Sequence, residues 1–206
     1  RQTLVRAIAD GTEALRIVSA YGLALWNRAT AHSTLAGALA ERGLDPSSEF
    51  GLAIADFDGA LRIEPDEGSL VTGRACARLD LAQWQVPRGA DPREGLQAAL
   101  ADLDRASEAG APPAWTRRIR ARVRHALGDW QARHGEDPRD SYRAAVEDLD
   151  EATRLDAKDA PSHADRGNAR RALGEADAAR GQDPRETYRK AIADCDAALA
   201  VDPGLA

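Results

Sequence analysis

The chain has no methionine, only two cysteines and two lysines, and 4% aromatic residues. Cys76 and Cys195 lie far apart and form no C-x-x-C, so neither a disulfide framework nor a cysteine zinc site is supported. With no initiating methionine, Arg1 is expected to open a fragment, so that any targeting signal would lie before it. No run approaches the ~20 apolar residues of a membrane-spanning helix, so no membrane partner is expected. A net charge of −6 argues against nucleic acid as a general partner. H-E-x-x-H, G-x-S-x-G, Walker and G-x-G-x-x-G motifs are all missing. His32, His125, His134 and His163 show no ligand spacing. The expectation is therefore no enzyme, no cofactor and no metal.

What is present is periodic. Asp-Pro recurs at Asp45-Pro46, Asp91-Pro92, Asp137-Pro138 and Asp183-Pro184, each step being 46 residues. The same step relates Gly43, Gly89, Gly135 and Gly181, and likewise Leu35, Leu81, Leu127 and Leu173. It also relates Arg28, Arg74, Arg120 and Arg166; Asp56, Asp102, Asp148 and Asp194; and Ala60, Ala106, Ala152 and Ala198. Ala7, Ile8, Asp10, Ala14 and Leu15 stand one period before Ala53, Ile54, Asp56, Ala60 and Leu61. A half unit over 1–21 followed by whole units over 22–67, 68–113, 114–159 and 160–206 is the expected partition of one continuous array.

Each unit reads as two helices. In the fourth, Tyr188, Ala191, Ile192, Cys195, Ala198 and Leu199 recur at helical spacing. Asp183 suits the N-cap and Pro184 the first helical position, while Gly181 suits the left-handed stop of the preceding helix over 162–180. Alanines along that helix, such as Ala169, Ala172 and Ala176, let neighbours approach closely. A two-helix unit cannot bury its apolar face alone, so stacked units must share one core, and both ends should show a cut apolar face.

The unit resembles the tetratricopeptide repeat (TPR), an array of 34-residue helix–turn–helix units. Gly167, Gly174, Ala191, Ala198 and Pro203 match that family's small and closing positions, with Ala176–Thr187 inserted at the turn. His163 and Arg170 stand where it has aromatics, and Ala111 and Ala157 where the second and third units lack the closing proline. The resemblance implies an all-α, right-handed solenoid of about nine helices, a protein–protein interaction scaffold, and ligands held on the concave face lined by first helices. Arrays of this arginine-rich kind look bacterial, and a cytoplasmic module of a larger protein is expected. The competing expectation is a structural module that self-associates end to end into homo-oligomers.

Two sets of residues stand out. The columns Arg28, Arg74, Arg120, Arg166 and Asp56, Asp102, Asp148, Asp194 are equal in number and share a period, which predicts helix-to-helix ion pairs. Five arginines fall between Arg117 and Arg124, at the start of a helix where the dipole does not favour them. By the resemblance, Trp115, Arg118, Arg122 and His125 face inward, with Asn168 and Arg171 in the next unit and Trp26, Asn27 and Thr30 in the first. Arginine beside asparagine and an aromatic is suited to gripping a protein or extended acidic peptide. Trp84 and Trp130, in the inserted turns, are expected to pack the lengthened helices.

Overall fold

The computed structural model describes residues 2–205, with side chains from 3 to 204. Among the described residues there are helices and turns and no strand. Their contacts divide the chain into two compact units, Arg1–Ala111 and Pro112–Ala206. The first holds α1 (Gln2–Ile17), α2 (Gly22–Glu41), α3 (Ser47–Ile63), α4 (Gly68–Gln85) and α5 (Arg93–Glu108). The second holds α6 (Pro113–Arg133), α7 (Arg139–Leu155), α8 (Ala160–Ala179) and α9 (Arg185–Val201).

In the first unit, α2 with α3 and α4 with α5 form hairpins, α1 packs on α2, and α3 packs on α4. In the second, α6 with α7 and α8 with α9 form hairpins, and α7 packs on α8. The first helices of successive hairpins also touch, α2 with α4 and α6 with α8.

The turns inside the hairpins repeat one geometry. Gly43, Gly89, Gly135 and Gly181 all adopt φ between +72° and +79°. At the last of these, Gly181 N–H reaches Ala178 O and Gln182 N–H reaches Asp177 O, closing the final carbonyls of α8. The aspartate of each Asp-Pro acts one position earlier than the sequence suggests. Pro184 is the N-cap of α9, and Asp183 stands before it. Asp183 still accepts the Arg185 backbone N–H at 3.1 Å, and the Arg185 guanidinium folds onto the same carboxylate at 2.6 Å. An exposed donor at the helix start is thus satisfied from two residues away. Likewise α8 covers 160–179 rather than 162–180, because Asp159 caps it and accepts the Ser162 N–H.

The core is made chiefly of small side chains. Ala29, Ala36, Ala53, Ala60 and Ala77 pack with Phe50, Phe57, Leu61 and Leu70 in the first unit. Ala121, Ala145, Ala169 and Leu149 cluster in the second. Glycines on first helices give room for rings from the second. A Cβ at Gly128 would stand 2.5 Å from the Tyr142 ring, and one at Gly73 2.7 Å from the Phe57 ring.

Gly128→Ala is expected to destabilise the chain by about 1–3 kcal/mol, because the buried Tyr142 ring must move, which exceeds the ~1 kcal/mol gained in helix propensity. Gly51→Ala in α3, where a Cβ meets nothing within 4 Å, is expected to stabilise by about 0.5–1 kcal/mol. Urea unfolding of the two variants reads the opposite signs directly. Equal effects would contradict this account of the close approach.

Candidate functional site

The arginine and aspartate columns come together in every hairpin. Arg28 binds Asp56 at 2.6 and 2.7 Å, Arg74 binds Asp102 at 3.0 Å, Arg120 binds Asp148 at 2.6 Å, and Arg166 binds Asp194 at 2.8 Å. Each pair joins a first helix to the second helix of its own hairpin. The arginine also reaches backward. Arg74 contacts Asp58 of α3 at 2.6 Å, and Arg166 contacts Asp150 of α7 at 3.0 Å. One guanidinium thus ties three successive helices, using the several N–H donors of its planar fork.

A second arginine column, which the sequence reading missed, shares the same acids. Arg78 contacts Asp102, Arg124 contacts Asp148 at 2.7 Å, and Arg170 contacts Asp194 at 2.7 Å. Their 46-residue spacing was legible in the sequence. In the first hairpin His32 holds the equivalent position and turns to Glu49 at 2.7 Å instead.

The arginine run of α6 divides between its two faces. Arg117, Arg120 and Arg124 all converge on Asp148. Trp115, Arg118, Arg122 and His125, spaced i, i+3, i+7 and i+10, share the other face. Arg118 stands 3.7 Å from both Asp159 and Asp165. Its Nε is out of contact with water and makes no hydrogen bond. Burial pushes the Asp165 carboxyl above the ordinary aspartate range, against the pull of Arg122, Arg118 and His125. Arg118, Arg122, His125 and Asp165 therefore form one cluster, and its acid belongs to no repeat column, so periodicity did not reveal it. His125 packs on Tyr142 with ring centroids 5.3 Å apart and lies 3.5 Å from Asp129. On α8, Asn168 is exposed and Arg171 binds Glu175 at 2.5 Å.

In the first unit, Trp26 is 40% exposed and borders a hollow of about 380 Å³ between α2 and the start of α4. Asn27 and Thr30 line a separate cleft of about 500 Å³ between α1 and α2. Trp84 carries the Arg88 guanidinium 3.2 Å above its ring. Trp130 is buried and stacks on His134 at 4.3 Å. Among the described residues, no group of three or more His, Cys, Asp or Glu is placed to hold a metal ion. No described helix is long and apolar enough to cross a membrane.

Arg74 and Asp102 are 12% and 5% exposed, and Arg78 shares the same carboxylate, so the double variant Arg74→Ala/Arg78→Ala leaves Asp102 mostly out of water without a partner and is expected to cost about 3–5 kcal/mol. Urea unfolding checks this, and a loss below ~1 kcal/mol would mean a solvent-screened pair. Tyr142 donates to Asp129 at 2.9 Å, and burial first, then the Asp129 charge, raises its phenol above the usual range. Its folded pKa lies above the unfolded value of about 10. Its contribution to stability is therefore intact below pH ~10 and is lost as pH climbs toward the folded value. Tyr142→Phe is expected to flatten the decline of unfolding free energy above pH ~10, which stepwise denaturation in alkaline buffers would measure.

No family profile matches the chain, and no curated protein matches it in sequence. Solved structures do resemble it. A crystal structure of MamA covers 100% of this chain and 90% of its own at TM-score 0.62 and 13% identity. MamA 41-end from Desulfovibrio magneticus RS-1 gives 98% and 87% coverage, TM-score 0.57 and 17% identity. YrrB, described as a TPR protein with an unusual peptide-binding site, gives 95% and 93% coverage, TM-score 0.50 and 15% identity. With helix–turn–helix units throughout its described residues and these neighbours, the chain is an all-α, TPR-like repeat protein.

Proposed function

We propose that the chain is a protein–protein interaction scaffold whose first-helix face takes a partner protein or an extended, acidic peptide. It would act as a module of a larger protein, partitioned as 1–21, 22–67, 68–113, 114–159 and 160–206. The observation that carries this reading is the stripe Trp115, Arg118, Arg122 and His125 on α6. There Arg118 has donors to spare, since its carboxylate neighbours stand at 3.7 Å. An incoming carboxylate gains two parallel hydrogen bonds from such a guanidinium. Trp115, 39% exposed at the head of the stripe, supplies apolar area beside the charge. Asn168 and Arg171 on α8 extend the polar track. YrrB, a TPR protein with a peptide-binding site, supports this reading. In this reading the arginine–aspartate columns are frame rather than binding surface.

A second reading, self-assembly into homo-oligomers, is favoured by the exposed apolar residues Ile17 on α1 and Ile192 and Leu199 on α9. Sedimentation across a concentration series separates the two, because a monomer at high concentration disfavours assembly.

The binding reading is tested with a fluorescent oligo-glutamate peptide and the triple variant Arg118→Ala/Arg122→Ala/Arg171→Ala, with thermal unfolding run in parallel. The expected outcome is about tenfold or greater loss of affinity, with the parent's affinity itself falling as salt is raised. Unchanged capture across salt by a folded variant would overturn the assignment.

A further inference from the structure

The hollow of about 380 Å³ between α2 and the start of α4 lies wholly within the first unit. Leu23 and Trp26 line it from α2, and Glu64, Glu67 and Ser69 from the turn into α4. Leu23 and Trp26 are 47% and 40% exposed, so two large apolar side chains share an open hollow with two acids. Glu67 Oε1 accepts the Ser69 N–H at 3.2 Å and the Ser69 O–H at 2.7 Å, capping α4. These bonds hold its carboxyl below the ordinary glutamate range, so it is charged at neutral pH. Glu64 lies against the first turn of α2, where a Cβ at Gly22 would stand 2.8 Å from its Oε1. Among the described residues, no arginine, lysine or histidine pairs with Glu64 or Glu67.

Two periods on, the same positions carry Trp115 for Leu23, Arg118 for Trp26, Asp156 for Glu64 and Asp159 for Glu67. Asp159 caps α8 as Glu67 caps α4, accepting the N–H and O–H of Ser162. There the Arg118 guanidinium comes within 3.7 Å of the Asp159 carboxylate. The first unit keeps both acids and has no arginine at that place. An indole stands there instead, and the electron-rich face of an indole attracts a cation.

We propose that this hollow seats one arginine side chain of a partner protein, its guanidinium against the Trp26 ring and paired with Glu64 and Glu67. Its apolar stem runs along Leu23. A planar guanidinium stacks on a ring and forks onto a carboxylate at once, whereas an ammonium is a compact point charge. Arg118 against Asp159 is the internal precedent for a guanidinium beside the capping acid. The seat shares no residue with the α6 stripe and takes a base where the stripe would take acids. It therefore stands or falls apart from the binding of acidic peptides.

The probe is the end-capped peptide Gly-Ser-Arg-Ser-Gly, titrated into the whole, nitrogen-15-labelled chain. Nuclear magnetic resonance follows the backbone amides of Leu23 and Ser69 and the Trp26 indole N–H. Saturable shifts of these signals are expected, with affinity about tenfold or more weaker in the double variant Glu64→Gln/Glu67→Gln. Glutamine at 67 still accepts from Ser69, so the cap of α4 is retained. Trp26→Leu, which keeps an apolar wall without the ring, is expected to weaken binding roughly threefold. Trp26→Arg, which sets in the first unit the arginine that the second already has, is expected to abolish it. A peptide with citrulline for arginine keeps the shape without the charge and is expected not to bind, and one with lysine to bind more weakly. Far-ultraviolet circular dichroism confirms that each variant is folded.

The absence of saturable shifts at Leu23, Ser69 and Trp26 overturns the proposal. So does binding that citrulline reproduces, or that folded Glu64→Gln/Glu67→Gln leaves unchanged. Lysine binding as tightly as arginine would refute the assignment to a guanidinium. Concentration-dependent sedimentation of the parent, lost in Glu64→Gln/Glu67→Gln, would make an arginine of a second copy the occupant and refute a foreign partner.

Discussion

Close approach of helices through small side chains is the constraint on which the rest of this molecule depends. Alanine at Ala29, Ala53, Ala60, Ala121, Ala145 and Ala169 removes the bulk that normally keeps helix axes ~8–10 Å apart. Glycines facing Phe57, Tyr142 and Tyr188 let aromatic rings lie against the neighbouring backbone. Such a core buries little apolar area per residue, so each hairpin depends on its neighbours for cover.

Alanine surfaces are smooth, and smooth surfaces specify register poorly. The charged pairs supply what they lack. Asp102, Asp148 and Asp194 each gather two or more arginines from the first helix of their hairpin. Arg74 and Arg166 reach the preceding helix as well. A guanidinium that must meet carboxylates on two helices admits one sliding position and one rotation, whereas a row of methyl groups admits several. Buried ion pairs contribute modestly to net stability yet cost much when broken, which suits them to selecting one packing among alternatives.

Charge compensation of this kind also separates frame from surface. On α6, three of the clustered arginines turn to Asp148, while Arg118 and Arg122 turn to the other face and meet Asp165. Within the proposed function, the first group holds the hairpin and the second faces the ligand. The distinction is one of helix phase: positions 117, 120 and 124 share one face and 118, 122 and 125 another. A bare count of arginines in the run cannot make it.

Much of the architecture was legible in the chain itself. A strict 46-residue period, helical spacing and Gly-x-Asp-Pro punctuation announce two-helix units, because local backbone preferences and apolar periodicity are properties of nearby residues. Equal columns of Arg28-type and Asp56-type residues likewise announced partners, since repetition turns one contact into four. Asp165 beside Arg118, the reach of Arg74 back to Asp58 and the shift of the cap from Asp183 to Pro184 were settled only by the folded chain. Each depends on distances between helices and on which atoms water can reach, and no single position in a sequence carries that information.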